Sequence, residues 1–275
     1  MNNTFSIQRF GLLLKRQWLE FGKIYLISLL VALGVIIAFY TFSIWPTLIG
    51  ESGFNERDLD FRLPLFIIFG FIFISIIASN YFAHLGQKPK AIIDLMIPAS
   101  TFEKFLTGIF FTSILASVSF ILIFYLTDLA FVSKLIALHQ SSGSPISISN
   151  TNGKEIAALA PSYFFIENSE LFEFAAVYII PFFVTSIFML GSIYFHKFHY
   201  IKTAISVMIF SGIWSAIIFK TGDLLFEGKI MIDQEERNNA MFSRLNIEIL
   251  STLLLATLTL IFLSITYVRL KEKEV

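Results

Sequence analysis

Six long apolar segments constrain this chain more than any other feature. They are Ile24–Trp45, Pro64–Ala83, Phe105–Val132, Phe172–Phe195, Ile201–Phe219 and Glu248–Val268. Crossing about 30 Å of hydrocarbon at about 1.5 Å per residue takes about 20 apolar residues. Each segment approaches or exceeds that length. Lipid offers no partner to a backbone N–H or C=O, so each segment is expected to be a helix. The expected fold is an all-α integral membrane protein with six transmembrane helices in one membrane domain over residues 1–275.

Composition agrees with this. Hydrophobic residues make up 56% of the 275-residue chain and charged residues 15%, against about 25% charged in a soluble domain. The formal net charge is zero, so no bulk attraction to nucleic acid is expected. The chain has no cysteine, which excludes disulfides, thiol nucleophiles and thiolate metal sites. The 33 phenylalanines read as bulk facing lipid. The first apolar segment is too long for a signal-peptide core and no small-x-small site follows it, so it is expected to be retained.

Positive charge sorts the connecting segments. Arg9, Lys15, Arg16 and Lys23 precede the first span. Lys88, Lys90 and Lys104 lie between the second and third, Lys197 and Lys202 between the fourth and fifth, and Arg269, Lys271 and Lys273 after the last. Together these segments hold 12 of the 20 basic residues and five acids. The three other loops are acidic. The alternation predicts N- and C-termini in the cytoplasm and outer loops over 133–171 and 220–247.

Residues 1–23 are expected to carry an amphipathic interfacial helix. Ile7, Phe10, Leu14, Trp18 and Phe21 recur at helical spacing, with Arg9, Arg16, Glu20 and Lys23 on another face. An anchor in lipid and a partner-docking surface are both open for it. The inner loop 84–104 is the most structured. Ser100-Thr-Phe-Glu103 reads as a capping box that starts the third span. Pro98 breaks what precedes it, predicting a short helix over Ala91–Ile97. The cap accounts for Ser100 and Glu103 but not for apolar Ile92, Ile93 and Met96 around Asp94, which need something to bury against. In the outer loop, Ile146–Ser149 and Asn150–Gly153 suggest a small hairpin. Pro181 is expected to kink the fourth span.

Chemistry has few places to sit. Asp128 is the one acid well inside an apolar segment. It lies 23 residues beyond Phe105, or about 35 Å along a helix, so it is expected at the outer interface, readily solvated. The lack of buried charge argues against an ion-coupled carrier. His84, His139, His196 and His199 form no metal-ligand pattern, and no cofactor is expected. There is no phosphate-binding glycine loop, no nucleophile elbow and no glycine pair four residues apart. The chain is therefore not expected to be an enzyme.

The layout, with Asp94-Leu-Met-Ile-Pro-Ala-Ser-Thr-Phe-Glu-Lys-Phe105, resembles the type-2 exporter (ABC-2) permease subunits of ATP-binding cassette transporters. That stretch is similar to an LPAS-x-x-EKF segment of small bacterial permeases, with Met96-Ile-Pro98 in place of leucine-proline. The likeness covers the whole chain in layout but only these dozen residues in sequence. It implies a bacterial cytoplasmic-membrane exporter subunit that works with a separate ABC ATPase, and with a second permease or a second copy of itself. It also implies a coupling segment over Ile92, Ile93, Asp94, Met96, Pro98, Ser100 and Glu103 that docks on the ATPase. Such a subunit rocks between inward- and outward-facing states as the ATPase pair closes. A non-transporting membrane protein of the same topology, such as an immunity, sensor-partner or assembly factor, remains open from sequence.

Overall fold

A computed structural model describes residues 5–49, 59–86, 96–141, 164, 175–195, 197–226 and 240–274. Among these residues the secondary structure is entirely helical. The elements are α1 (Ile7–Ile49), α2 (Arg62–Tyr81), a 3-10 turn (Ala83–Gly86), α3 (Thr101–Ile109), a π-helical turn (Phe110–Leu115), α4 (Ala116–Ser141), α5 (Ala175–Tyr194), α6 (His199–Phe226) and α7 (Ala240–Glu274). Six helices are long and apolar enough to cross a membrane: Ile7–Pro46, Arg62–Tyr81, Thr101–Leu135, Ala175–Tyr194, His199–Thr221 and Glu248–Lys273. The chain is a multi-pass membrane protein. The hairpin expected over Ile146–Gly153 lies outside the described residues.

The basic stretch at the N-terminus and the first apolar segment run together as α1. Its 43 residues make a rod about 65 Å long. No helix-stopping residue separates the two parts. Gly22 is the weakest link, and Trp18 covers it one turn back, with its ring 3.3 Å from where a Cβ would stand. Leu13 and Phe21 are buried whereas Ile7, Leu12 and Leu19 are exposed, so the inward stripe is narrower than the sequence spacing suggests. Phe10 and Leu14 flank it, half-buried.

The described chain divides into two compact units, Ser6–Ile77 with Leu106–Phe174, and Met1–Phe5 with Ala78–Phe105 and Ala175–Val275. In the first, α1 packs along α4. Aromatic rings fill the seam. Trp18 stacks on Phe111 at 6.3 Å, and Phe73 stacks on Phe120 at 5.8 Å. The π-helical turn has one residue more per hydrogen-bonded ring than an α-helix, which disturbs the carbonyl ladder locally. Leu115, its last residue, shows how such a carbonyl is satisfied: Ser119 Oγ donates to Leu115 O at 2.7 Å, and Tyr25 Oη lies 2.6 Å from Ser119 Oγ.

In the second unit α5 packs on both α6 and α7. The buried side of α5 is rich in small and hydroxylated residues: Thr185, Ser186, Gly191 and Ser192. Small side chains let helices in lipid approach closely. Gly191 is the tightest point, since a Cβ there would fall 1.9 Å from Thr203 Oγ1 and 2.8 Å from Thr203 Cβ. Pro181 lies inside α5, and the Thr185 hydroxyl reaches back to the carbonyls of Pro181 and Phe182 at 3.0 and 2.9 Å. The turn into α6 places Phe198 at φ 54°, a conformation uncommon for a bulky residue.

Gly191→Ala is expected to destabilise the protein by about 1–3 kcal/mol through overpacking. A thermal unfolding series in detergent checks this, with Gly212→Ala as the control, because a Cβ at Gly212 meets nothing within 4 Å.

Candidate functional site

Two places concentrate polar side chains, one in each unit. The first is the foot of the third span. Ile97 forms a bend and Pro98 stands outside any helix, because proline lacks the N–H that would continue one. The chain restarts at Ser100 as a capping box. Glu103 N–H donates to Ser100 Oγ at 3.2 Å, and Ser100 N–H donates to Glu103 Oε2 at 2.9 Å. Glu103 is fully buried, so its carboxylate sits inside the foot rather than on its surface.

An aromatic cluster braces this foot. Phe102 meets Phe5 at 6.3 Å and Tyr267 at 6.4 Å, and Phe105 meets Tyr267 at 5.5 Å. Met96 remains 79% exposed and Phe102 48% exposed. Ser100 and Glu103 thus form one capped turn, with Met96 and Pro98 just before it in the chain. Ile92, Ile93 and Asp94 lie outside the described residues, as does most of the helix expected over Ala91–Ile97. Of the N-terminal residues singled out, Trp18 packs on Phe111. Arg16 pairs with Glu20 at 3.7 Å, one turn on. Arg9 is half-buried.

The second place corrects the sequence reading. Asp128 is not a solvated interfacial acid. It is 2% exposed and held between α1, α2 and α4. Tyr40 Oη donates to Asp128 Oδ1 at 2.7 Å. Arg62 Nη2 donates to Asp128 Oδ2 as an ion pair, and Arg62 is itself 2% exposed. Phe61 meets the Tyr40 ring at 5.0 Å and Phe131 at 5.2 Å. Phe164 lies under the Arg62 guanidinium at 5.1 Å. Among the described residues Nε and Nη1 of Arg62 have no hydrogen-bond partner, and the ring face of Phe164 offsets part of that cost.

Helix length gives the depth of Asp128 but not the direction it faces. Rotation about the helix axis turns it toward Tyr40 and Arg62 rather than toward water. Arg62 stands in the stretch between the first two apolar segments, yet it is the first residue of α2. A signal did exist: an acid inside one apolar run and an arginine at the edge of another. The apparent lack of buried charge is therefore corrected too. The buried acid is neutralised by its own arginine, so it is not a free carboxylate for ion coupling.

Among the described residues no three His, Cys, Asp or Glu side chains converge. His199 Nδ1 lies 2.7 Å from Ser79 Oγ. Ser79 is fully buried. The pair ties the last turn of α2 to the first turn of α6.

No protein-family model, curated protein or solved structure matches the chain.

Removing one member of a buried ion pair strands the other charge, whereas replacing both with apolar groups need not. Asp128→Leu and Arg62→Met are each expected to cost about 3–5 kcal/mol. The double variant Asp128→Leu with Arg62→Met is expected to recover most of that loss. Unfolding in detergent of the two singles and the double gives the coupling. Glu103→Ala is expected to cost at least about 1 kcal/mol through loss of the reciprocal cap, read by hydrogen exchange at residues 101–105.

Proposed function

We propose that this chain is the membrane-spanning permease subunit of an ATP-driven transporter of the ABC-2 type, an exporter in a bacterial cytoplasmic membrane. The observation that carries the reading is the capped foot of the third span. A buried Glu103 and a reciprocal Ser100 cap hold it rigid, while Met96 and Phe102 present apolar surface. A rigid helix end with exposed apolar side chains is what a partner needs in order to push on a membrane helix.

Six spans and the basic segments at both chain ends support the same layout, with termini in the cytoplasm. The chain has no phosphate-binding loop, so nucleotide hydrolysis belongs to a separate ATPase. A second permease subunit, or a second copy of this one, would complete the pathway. ATPase closure acts on residues 92–103, and the spans alternate between inward- and outward-facing states. The residues that matter for coupling are then contacts and caps: Ile92, Ile93, Asp94, Met96, Pro98, Ser100 and Glu103. No cofactor is assigned to this chain.

Gentle solubilisation from the native membrane, followed by mass spectrometry of what co-purifies, tests the proposal. A stoichiometric P-loop ATPase is expected, lost in Ile93→Asp and Met96→Asp. A preparation with no ATPase, under conditions that keep comparable complexes intact, would favour a non-transporting membrane protein instead.

A further inference from the structure

Three cations converge on the last turn of α5. Lys273 Nζ donates to Ile193 O at 2.6 Å. The Arg269 guanidinium lies 5.9 Å from the Tyr194 ring, and Lys202 Nζ lies 5.7 Å from the Phe195 ring. Lys197, just before α6, is exposed, and Lys271 is exposed on the side of α7 away from Arg269 and Lys273. The negative end of the α5 dipole explains one or two of these charges. It does not explain five. Residues 197–202 and 269–274 hold five basic side chains and two acids, Glu272 and Glu274, and Glu272 pairs with Arg269 at 2.7 Å. Lys197, Lys202 and Lys271 have no acid partner among the described residues.

The surroundings say what kind of anion fits. Tyr194 and Phe198 are exposed at the same level as the cations, the position aromatic residues take at the headgroup boundary. Below Lys202, on the same face of α6, Ile205, Ile209 and Ile213 follow at helical spacing, all exposed. A cationic head over a continuous apolar track matches one molecule with a phosphate at one end and an acyl chain below it.

We propose that the end of α5 and the start of α6 bind an anionic phospholipid, with its phosphate between Lys197 and Lys202 and an acyl chain along Ile205, Ile209 and Ile213. Binding here is independent of any ATPase. The cations exceed what the α5 terminus uses, so a headgroup carrying net negative charge is preferred over a zwitterionic one.

Native mass spectrometry of the full-length protein in detergent, titrated with phosphatidylglycerol or phosphatidylcholine, tests this. Phosphatidylglycerol is expected to remain bound at lower concentration than phosphatidylcholine. At about a fivefold loss per basic residue removed, K197Q/K202Q is expected to weaken phosphatidylglycerol binding about 25-fold. K197R/K202R is expected to keep it. I205Q/I209Q is expected to weaken it as well, whereas inorganic phosphate is not expected to displace the lipid. Equal retention by the glutamine variant overturns the proposal. So does an equal loss in K15Q/K23Q, which removes basic charge elsewhere, or displacement of the lipid by inorganic phosphate. All the substituted lysines are exposed, so these variants keep the fold.

Discussion

The backbone hydrogen bond, made within a single helix, is the constraint on which everything else here depends. Hydrocarbon supplies no competing donor or acceptor, so a span that breaks its own ladder has nowhere to turn. The same rule governs the side chains. Hydroxyls along the spans fold back onto carbonyls one turn earlier: Ser28 to Ile24, Thr41 to Ile37, Thr112 to Gly108, Thr127 to Ile123 and Thr266 to Phe262. These bonds let polar residues ride inside apolar helices without needing a partner on a neighbour. Helix association is then left to shape, which is why small residues line the buried side of α5.

Where a polar group cannot be satisfied within its own helix, the structure joins helices through it. Tyr25 joins α1 to the π-helical turn and the start of α4 through Ser119. Tyr40 and Arg62 join α1 and α2 to α4 through Asp128. Both tyrosines lie on α1, fifteen residues apart. A little over four helical turns separate them, leaving them about 60° apart around the rod and on one side of it. The first unit is therefore fastened at two levels by hydroxyls from one helix, with aromatic rings filling the space between.

The helices were legible from sequence because apolar length is a one-dimensional signal. Among the described residues each expected span overlaps observed helix, the third running through α3, the π-helical turn and α4, and α6 and α7 continue past the apolar stretch. The capping box was legible because it is local, with both partners three residues apart. Asp128 was misread because its partners stand 88 and 66 residues away, and neither spacing nor hydropathy encodes which way a helix is turned. Gly191 was missed for the same reason. Its meaning lies in Thr203, on another helix. The run of α1 from Ile7 to Ile49 is intermediate: both parts were read as helical, but their fusion depends on the absence of a stop signal, which is harder to see than its presence.

The Arg62–Asp128 pair also bears on how the chain enters a bilayer. A charged residue placed in a membrane helix opposes transfer of that helix from water into lipid. Arg62 sits at one end of α2, and Asp128 lies far along the third span. Each would meet that opposition alone, and neither would once the two are in contact. The second and third spans are therefore better suited to insert as a hairpin than in succession, with α1 already present to supply Tyr40. Partition into lipid and formation of this contact then become a single step of membrane biogenesis, and an uncompensated charge marks a chain that has not yet completed it.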